Sequence, residues 1–213
     1  MNVTLAFAQS LDGCITARPG QPTALSGSQA LAYTHELRAA HDAIVVGVGT
    51  VIADDPRLTV RLAPGAHPQP VVLDANLRIP LSCRLLTAPV RPLWILCGKH
   101  APMLRRRELE ARGACVLPVF EDESNAERWP LLLHALSQCG MRSVMVEGGA
   151  RVITSLLESG AAQRLSLTIA PRFLAAVRGV HESEFALPAL QRVRYRPLGD
   201  DLIVEADLVS SRA

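Results

Sequence analysis

The sequence predicts a mixed α/β fold: one mostly parallel central sheet with helices on both faces and an antiparallel C-terminal end. Three observations predict it. Short apolar runs at 43–46, 71–73, 93–97 and 143–146 are near-continuously hydrophobic, as parallel strands covered on both faces must be. Helix-length segments separate most of these runs and stop at Gly113, Gly140 and Gly160, the expected left-handed exits. The last quarter changes character: 164–170 and 201–208 read as long strands with no comparable helix between them. At 213 residues without an internal repeat or low-complexity linker, the chain reads as a single domain, 1–213.

In chain order, residues 3–9 form an apolar strand, and Asp12-Gly13 is a hairpin-type turn before a short strand from Cys14. Two prolines and a glycine make 18–23 a loop. Ser26 or Ser28 can cap a helix over 29–40, with Leu31 and Leu37 facing inward. The strand at 43–46 runs into glycines, and a short helix begun at Thr50 ends at Asp54-Asp55-Pro56, with Asp55 as its cap or turn residue. Residues 61–69, with Pro64, Gly65 and Pro68, are the expected flexible loop. Asp74 ends the strand at 71–73, and Gly98 the one at 93–97. Helices over 103–112, 126–139 and 151–159 alternate with strands at 114–119 and 143–146, and 121–125 is a polar loop.

Composition excludes several functions. Hydrophobic residues are 49% and charged residues 20%, against a disordered chain. A net charge of +2 with scattered signs and 4% aromatics gives no case for nucleic acid or for an anionic membrane surface. No apolar run is long enough to span a bilayer, and the N-terminus lacks a signal-peptide pattern, so a soluble cytoplasmic protein is expected. Five widely spaced cysteines form no Cys-x-x-Cys pair and read as buried free thiols. The six histidines show no metal-ligand spacing and read as surface or helix-face residues, so no metal is expected. Ser10 lacks a nucleophile elbow, which leaves a hydrolase triad unsupported.

Chemistry concentrates in 42–61, DAIVVGVGTVIADDPRLTVR, where a buried strand runs straight into exposed polar groups. Gly47-Val48-Gly49-Thr50 and Glu147-Gly148-Gly149-Ala150 are both strand–glycine–helix junctions. Free N–H groups and the helix dipole favour an anion at such a junction, and glycine lets a phosphate approach the backbone. Asp54 falls one helical turn after Thr50, so both can face one ligand. Arg38, Arg57 and Arg61 are candidates to grip a phosphate.

With Ser10-Leu11-Asp12-Gly13, Leu37-Arg38-Ala39, Gly47-x-Gly49-Thr50-Val51, Ala53-Asp54-Asp55-Pro56-x-Leu58-Thr59-Val60-Arg61 and Glu147-Gly148-Gly149 in order, the chain resembles the pyrimidine reductases of riboflavin biosynthesis. These form the reductase part of a bifunctional deaminase-reductase, here standing alone. The resemblance implies a dihydrofolate-reductase-like fold, NADPH as hydride donor, a homodimer, and a phosphorylated small-molecule substrate, a ribosylaminopyrimidine 5′-phosphate reduced at C1′ to the ribityl form. It implies that Gly47, Gly49, Thr50 and Asp54 meet the cofactor, with Asp54 and Glu147 at the reacting end. Gly148, Gly149, Ala150, Arg151, Val152 and Ile153 would take its diphosphate. Arg38, Arg61 and the Leu58 backbone would hold the substrate phosphate, and Glu147 the pyrimidine. Lys99 and Arg78 are candidates for the cofactor 2′-phosphate. The chain departs from the family pattern at Pro22, Ala24 and Ala75, and in the stretch Pro171-Arg172-Phe173-Leu174-Ala175. Those departures leave two alternatives open: a reductase of the same fold and cofactor acting on a different small substrate, and a non-catalytic nucleotide- or flavin-binding protein. Without the zinc-ligand His and Cys motif, deamination is not expected.

Overall fold

Apolar runs flanked by glycine pair into a nine-stranded sheet in a computed structural model that describes residues 1–121, 128–183 and 185–209. The strands are β1 (Asn2–Ser10), β2 (Cys14–Thr16), β3 (Ala43–Gly47), β4 (Gln69–Leu73), β5 (Trp94–Gly98), β6 (Cys115–Phe120), β7 (Ser143–Gly148), β8 (Arg164–Ala170), β9 (Val177–Arg178), β10 (Ala189–Leu198) and β11 (Asp201–Val209). The helices are α1 (Ser28–Ala39), α2 (Val48–Asp54), α3 (Arg84–Thr87), α4 (Met103–Glu110), α5 (Arg128–Gln138) and α6 (Ala150–Ser159). Sheet order is β10-β11-β8-β1-β7-β3-β4-β5-β6, and β2 pairs separately with β9. The main ladders are parallel except β11 with β8 and β10, so the antiparallel end stands as expected.

Alternation along the central strands builds two cores. Ala43 and Val45, Val71 and Leu73, and Leu96 face α5 and α6, around Trp129, Leu132, Leu136, Val152, Ile153 and Leu156. Ile44 and Val46, Val72, and Ile95 and Cys97 face α2, α3 and α4, around Val51, Leu85, Leu86 and Leu109. Helix α1 packs Ala30 and Tyr33 on Ile203 of β11. Strands β3 to β6 run outward in one direction, whereas β7 returns between β1 and β3. The helices that follow β3 and β7 therefore leave on opposite faces, and a crevice opens between the two strand ends.

Several local expectations are corrected. Leu31 is 41% exposed: the buried face of α1 runs through Ala30 and Tyr33, and Leu31 points outward. Neither Ser26 nor Ser28 caps that helix. Gly27 is the N-cap, and its N–H donates to the Asp201 carboxylate at 2.7 Å. Asp12-Gly13 turns the chain, but β2 pairs with β9 instead of folding back on β1 as a hairpin. Helix α2 starts at Val48, two residues before Thr50, while Asp55 closes it in a left-handed conformation. Strand β10 and the short α3 were not expected. Exposed along nearly its whole length, β10 lacks the apolar run that marks the others. Cys14, Cys83 and Cys97 are buried, but Cys115 and Cys139 are exposed. The polar loop expected over 121–125 lies outside the described residues from 122 onward, as do residues 126 and 127 of the following helix. Among the described residues, no helix is long and apolar enough to cross a membrane.

Candidate active site

Strands β3 and β7 pair in register through Val45 and Val146, and then Val46 pairs with Gly148, so Glu147 is the extra residue of a bulge. A bulge re-aims a side chain out of the strand's alternation. Here Glu147 meets Arg38 from the last turn of α1 as a two-point ion pair. Nε donates to Oε1 at 2.6 Å and Nη2 to Oε2 at 2.7 Å. Arg38 Nη1 donates to the Thr59 carbonyl at 3.1 Å. Both side chains are mostly buried, 12% and 15% exposed. Burial disfavours the Arg38 charge, yet the charge and hydrogen bonds of Glu147 outweigh it and raise its pKa. Two of the arginine's five N–H groups and further carboxylate lone pairs remain free for a ligand.

The two glycine junctions meet. The Thr50 hydroxyl accepts the Gly149 N–H at 3.1 Å, and a Cβ on Gly149 would crowd that hydroxyl at 3.2 Å. Gly148 has φ +110°, a backbone that side chains rarely adopt, and it turns β7 into α6. Gly47 serves packing: a Cβ there would strike Val152 at 2.8 Å. Gly49 is exposed with open space around it. No side chain caps α6. The N–H groups of Val152 and Ile153 go to the Gly149 carbonyl, and their side chains are in the core. Ala150 and Arg151 are left as the outward-facing start of the helix, where a dipole favours an anion.

Asp54, at the end of α2, has no hydrogen bond or ion pair for its carboxylate among the described residues. Although the side chain reaches the surface, the surrounding protein desolvates it and raises its pKa. Its neighbour Asp55 is committed elsewhere, accepting the Arg84 N–H at 2.7 Å and pairing with that guanidinium.

The segment after Pro56 is held without sheet pairing. Leu58 is buried with φ +50°, an unusual conformation for a branched residue that tends to persist where surrounding structure imposes it. Arg61 Nη1 donates to the Thr59 hydroxyl at 2.7 Å. Burial, then the charges of Arg38 and Arg57, push the Arg61 pKa down. The positive charges of Arg38 and Arg57 thus reach Arg61, opposed by Glu147, and a local excess of positive charge favours an incoming anion.

Sequence reading missed two histidines. His35 is fully buried, 0% exposed, and its Nδ1 accepts the Arg61 N–H at 2.9 Å. His67 Nδ1 accepts the Val60 N–H at 3.1 Å. The available signal was the spacing of His35 and Arg38, three apart and so on one helix face. Lys99 pairs with Glu121 at 2.7 Å, and Arg78 is exposed beyond β4. The departing segments interlock: Arg172 donates to the Ala24 carbonyl at 3.1 Å, and the Asp12 carboxylate takes the N–H groups of Leu174 and Ala175. Ser10 is buried and bonded to Asp12 and Cys14, committed to the turn.

Comparison with known proteins identifies the family and the fold. The family described as RibD C-terminal domain matches residues 1–204. A 2,5-diamino-6-ribosylamino-4(3H)-pyrimidinone 5′-phosphate reductase from Methanothermobacter thermautotrophicus is 37% identical over 214 residues, covering 95% of this chain and 96% of the relative. Acinetobacter baumannii RibD superposes with a TM-score of 0.85 at 25% identity over 98% of this chain, which spans 58% of that protein's chain. A dihydrofolate reductase from Enterococcus faecalis shares the fold, with a TM-score of 0.54 at 13% identity, covering 97% of this chain and 96% of its own. The chain belongs to the RibD C-terminal domain family, the pyrimidine reductases of riboflavin biosynthesis.

Proposed function

We propose that this chain is an NADPH-dependent reductase that converts a ribosylaminopyrimidine 5′-phosphate to its ribitylamino form. The observation that carries this reading is the Thr50–Gly149 contact. It joins the uncapped start of α6 to helix α2, which bears Thr50 and Asp54, with the Arg38–Glu147 pair on the adjoining bulge.

NADPH fits the residues present. Gly149 lacks the Cβ that would close the junction, and Ala150 and Arg151 open a helix no side chain caps. Gly148 to Arg151 would hold the diphosphate, while Gly49, Thr50 and Asp54 would line the reacting end. When bound, the cofactor supplies the hydride. The residues have other work: aligning the ribose and moving protons. Glu147, locked by Arg38, offers its spare lone pairs to the pyrimidine's N–H donors. Arg61, Arg38 and the Leu58 backbone hold the 5′-phosphate. Asp54, free of partners among the described residues and held above the ordinary carboxylate pKa, is suited to hold a proton beside the reacting carbon.

A homodimer in the cytoplasm belongs to the same reading. Strand β10, the outer edge of the sheet, carries exposed Leu190 and Tyr195 and an unpaired backbone edge that a second chain could cover.

The phosphate assignment is tested by Arg61→Ala. Loss of charge-assisted bonds should raise KM for the phosphorylated substrate about tenfold or more, with kcat little changed. Steady-state kinetics with phosphorylated and dephosphorylated substrate measures this. Equal handling of both by the unmodified protein would remove the phosphate from recognition.

A further inference from the structure

We propose that His35 and His67 are positioning residues that hold the Thr59–Arg61 backbone in the shape that presents the Arg61 guanidinium to substrate. The proposal rests on the reading of Arg61 as a phosphate ligand. Its structural basis is that two successive peptide N–H groups, of Val60 and Arg61, are each captured by an imidazole Nδ1, at 3.1 and 2.9 Å. The stretch has no regular secondary structure, so its buried N–H groups need acceptors from elsewhere in the fold. Among the described residues, no strand of the sheet pairs with this stretch to supply them. One acceptor comes from α1 and the other from the loop that precedes β4.

An accepting Nδ1 carries no proton, so each neutral ring keeps its proton on Nε2. Around His35 this state is enforced. The ring is fully buried, and the charged groups acting on it are Arg38 and Arg61 against Glu147. Burial first, then the two arginines, push its pKa down to about 4, so the acceptor persists throughout the neutral range. A carboxylate at this position would accept the same N–H. It would also pair with Arg38 or Arg61, competing with Glu147 and with the incoming phosphate. A neutral, rigid acceptor fixes the backbone and leaves both guanidiniums free. The third tether is Arg38 itself, through the Thr59 carbonyl, and the Thr59 hydroxyl in turn anchors Arg61. One hydrogen-bonded unit therefore links the two histidines to the geometry of both arginines.

The test compares His35→Leu and His67→Leu, which remove the acceptor, with His35→Asn and His67→Asn, which keep an oxygen acceptor close to the Nδ1 position. Steady-state kinetics of the full chain is read with the phosphorylated substrate, with thermal melting as the check of folding. Each leucine variant should raise KM about tenfold, the worth of a lost buried hydrogen bond, while kcat stays within about threefold. The asparagine variants should recover most of the KM. Arg61→Ala is the control. If it leaves KM unchanged, the reading of Arg61 is wrong and the proposal falls with it. If it raises KM but the leucine variants do not, the proposal alone is overturned. Equal loss in the asparagine and leucine variants, or a fall in kcat without a change in KM, also overturns it. Should His35→Leu fail to fold, His67→Leu, at a half-buried loop position, decides the same question.

Discussion

Replacing Glu147 with alanine is expected to abolish turnover and to cost about 3 kcal/mol of stability. The cost arises because Arg38 would stay behind, mostly buried, without its only carboxylate partner among the described residues. Removing one member of a buried ion pair costs about 3–5 kcal/mol, and the slight exposure of this pair places it at the lower end. Urea unfolding measures the loss, with the midpoint moving at constant slope. The double replacement Arg38→Met with Glu147→Met separates stability from function. It removes both charges together, so stability should return towards that of the unmodified protein while activity stays absent. An unchanged urea midpoint in the alanine variant would mean that the pair contributes nothing to the fold.

Asp54→Asn should impair catalysis without destabilising the fold: kcat should fall about a hundredfold or more, the range of a lost proton-transfer group, with stability within about 0.5 kcal/mol. Its carboxylate makes no contact whose loss would be felt among the described residues, and asparagine has the same shape. Single-turnover kinetics under saturating cofactor and substrate isolates the step. An unchanged kcat would remove Asp54 from the mechanism.

Much of this was legible in the chain because the signals are local. Apolar runs ended by glycine marked the parallel strands, and the crowding of Thr50, Asp54, Arg57 and Arg61 behind one of them marked the cleft. What sequence order could not convey was which polar groups satisfy one another across the fold. Arg38 and Glu147, 109 residues apart, were read as ligands for different parts of a substrate, yet they bind each other. The bulge that makes this possible depends on the pairing of β7 with β3, a long-range register. His35 shows no metal spacing, and sequence alone supports only a surface or helix-face position for it. Its role exists only because the segment after Leu58 comes back against α1. Strand β10 escaped notice for the opposite reason. It lies at an edge, buries little, and so lacks the hydrophobic pattern that reveals a strand. Neither serine caps because Gly27, which lies between them, occupies the N-cap, its N–H held by an acid from β11, 174 residues on.

The crevice between β3 and β7 is proposed to be where a ribosylaminopyrimidine phosphate is reduced. The most direct measurement is the loss of NADPH absorbance when the purified chain is offered the deaminated and the non-deaminated ribosylaminopyrimidine 5′-phosphates side by side. Oxidation of NADPH is expected with at least one of them, matched by formation of the ribitylamino product. Absence of turnover with both, in a folded protein that binds NADPH, would contradict it.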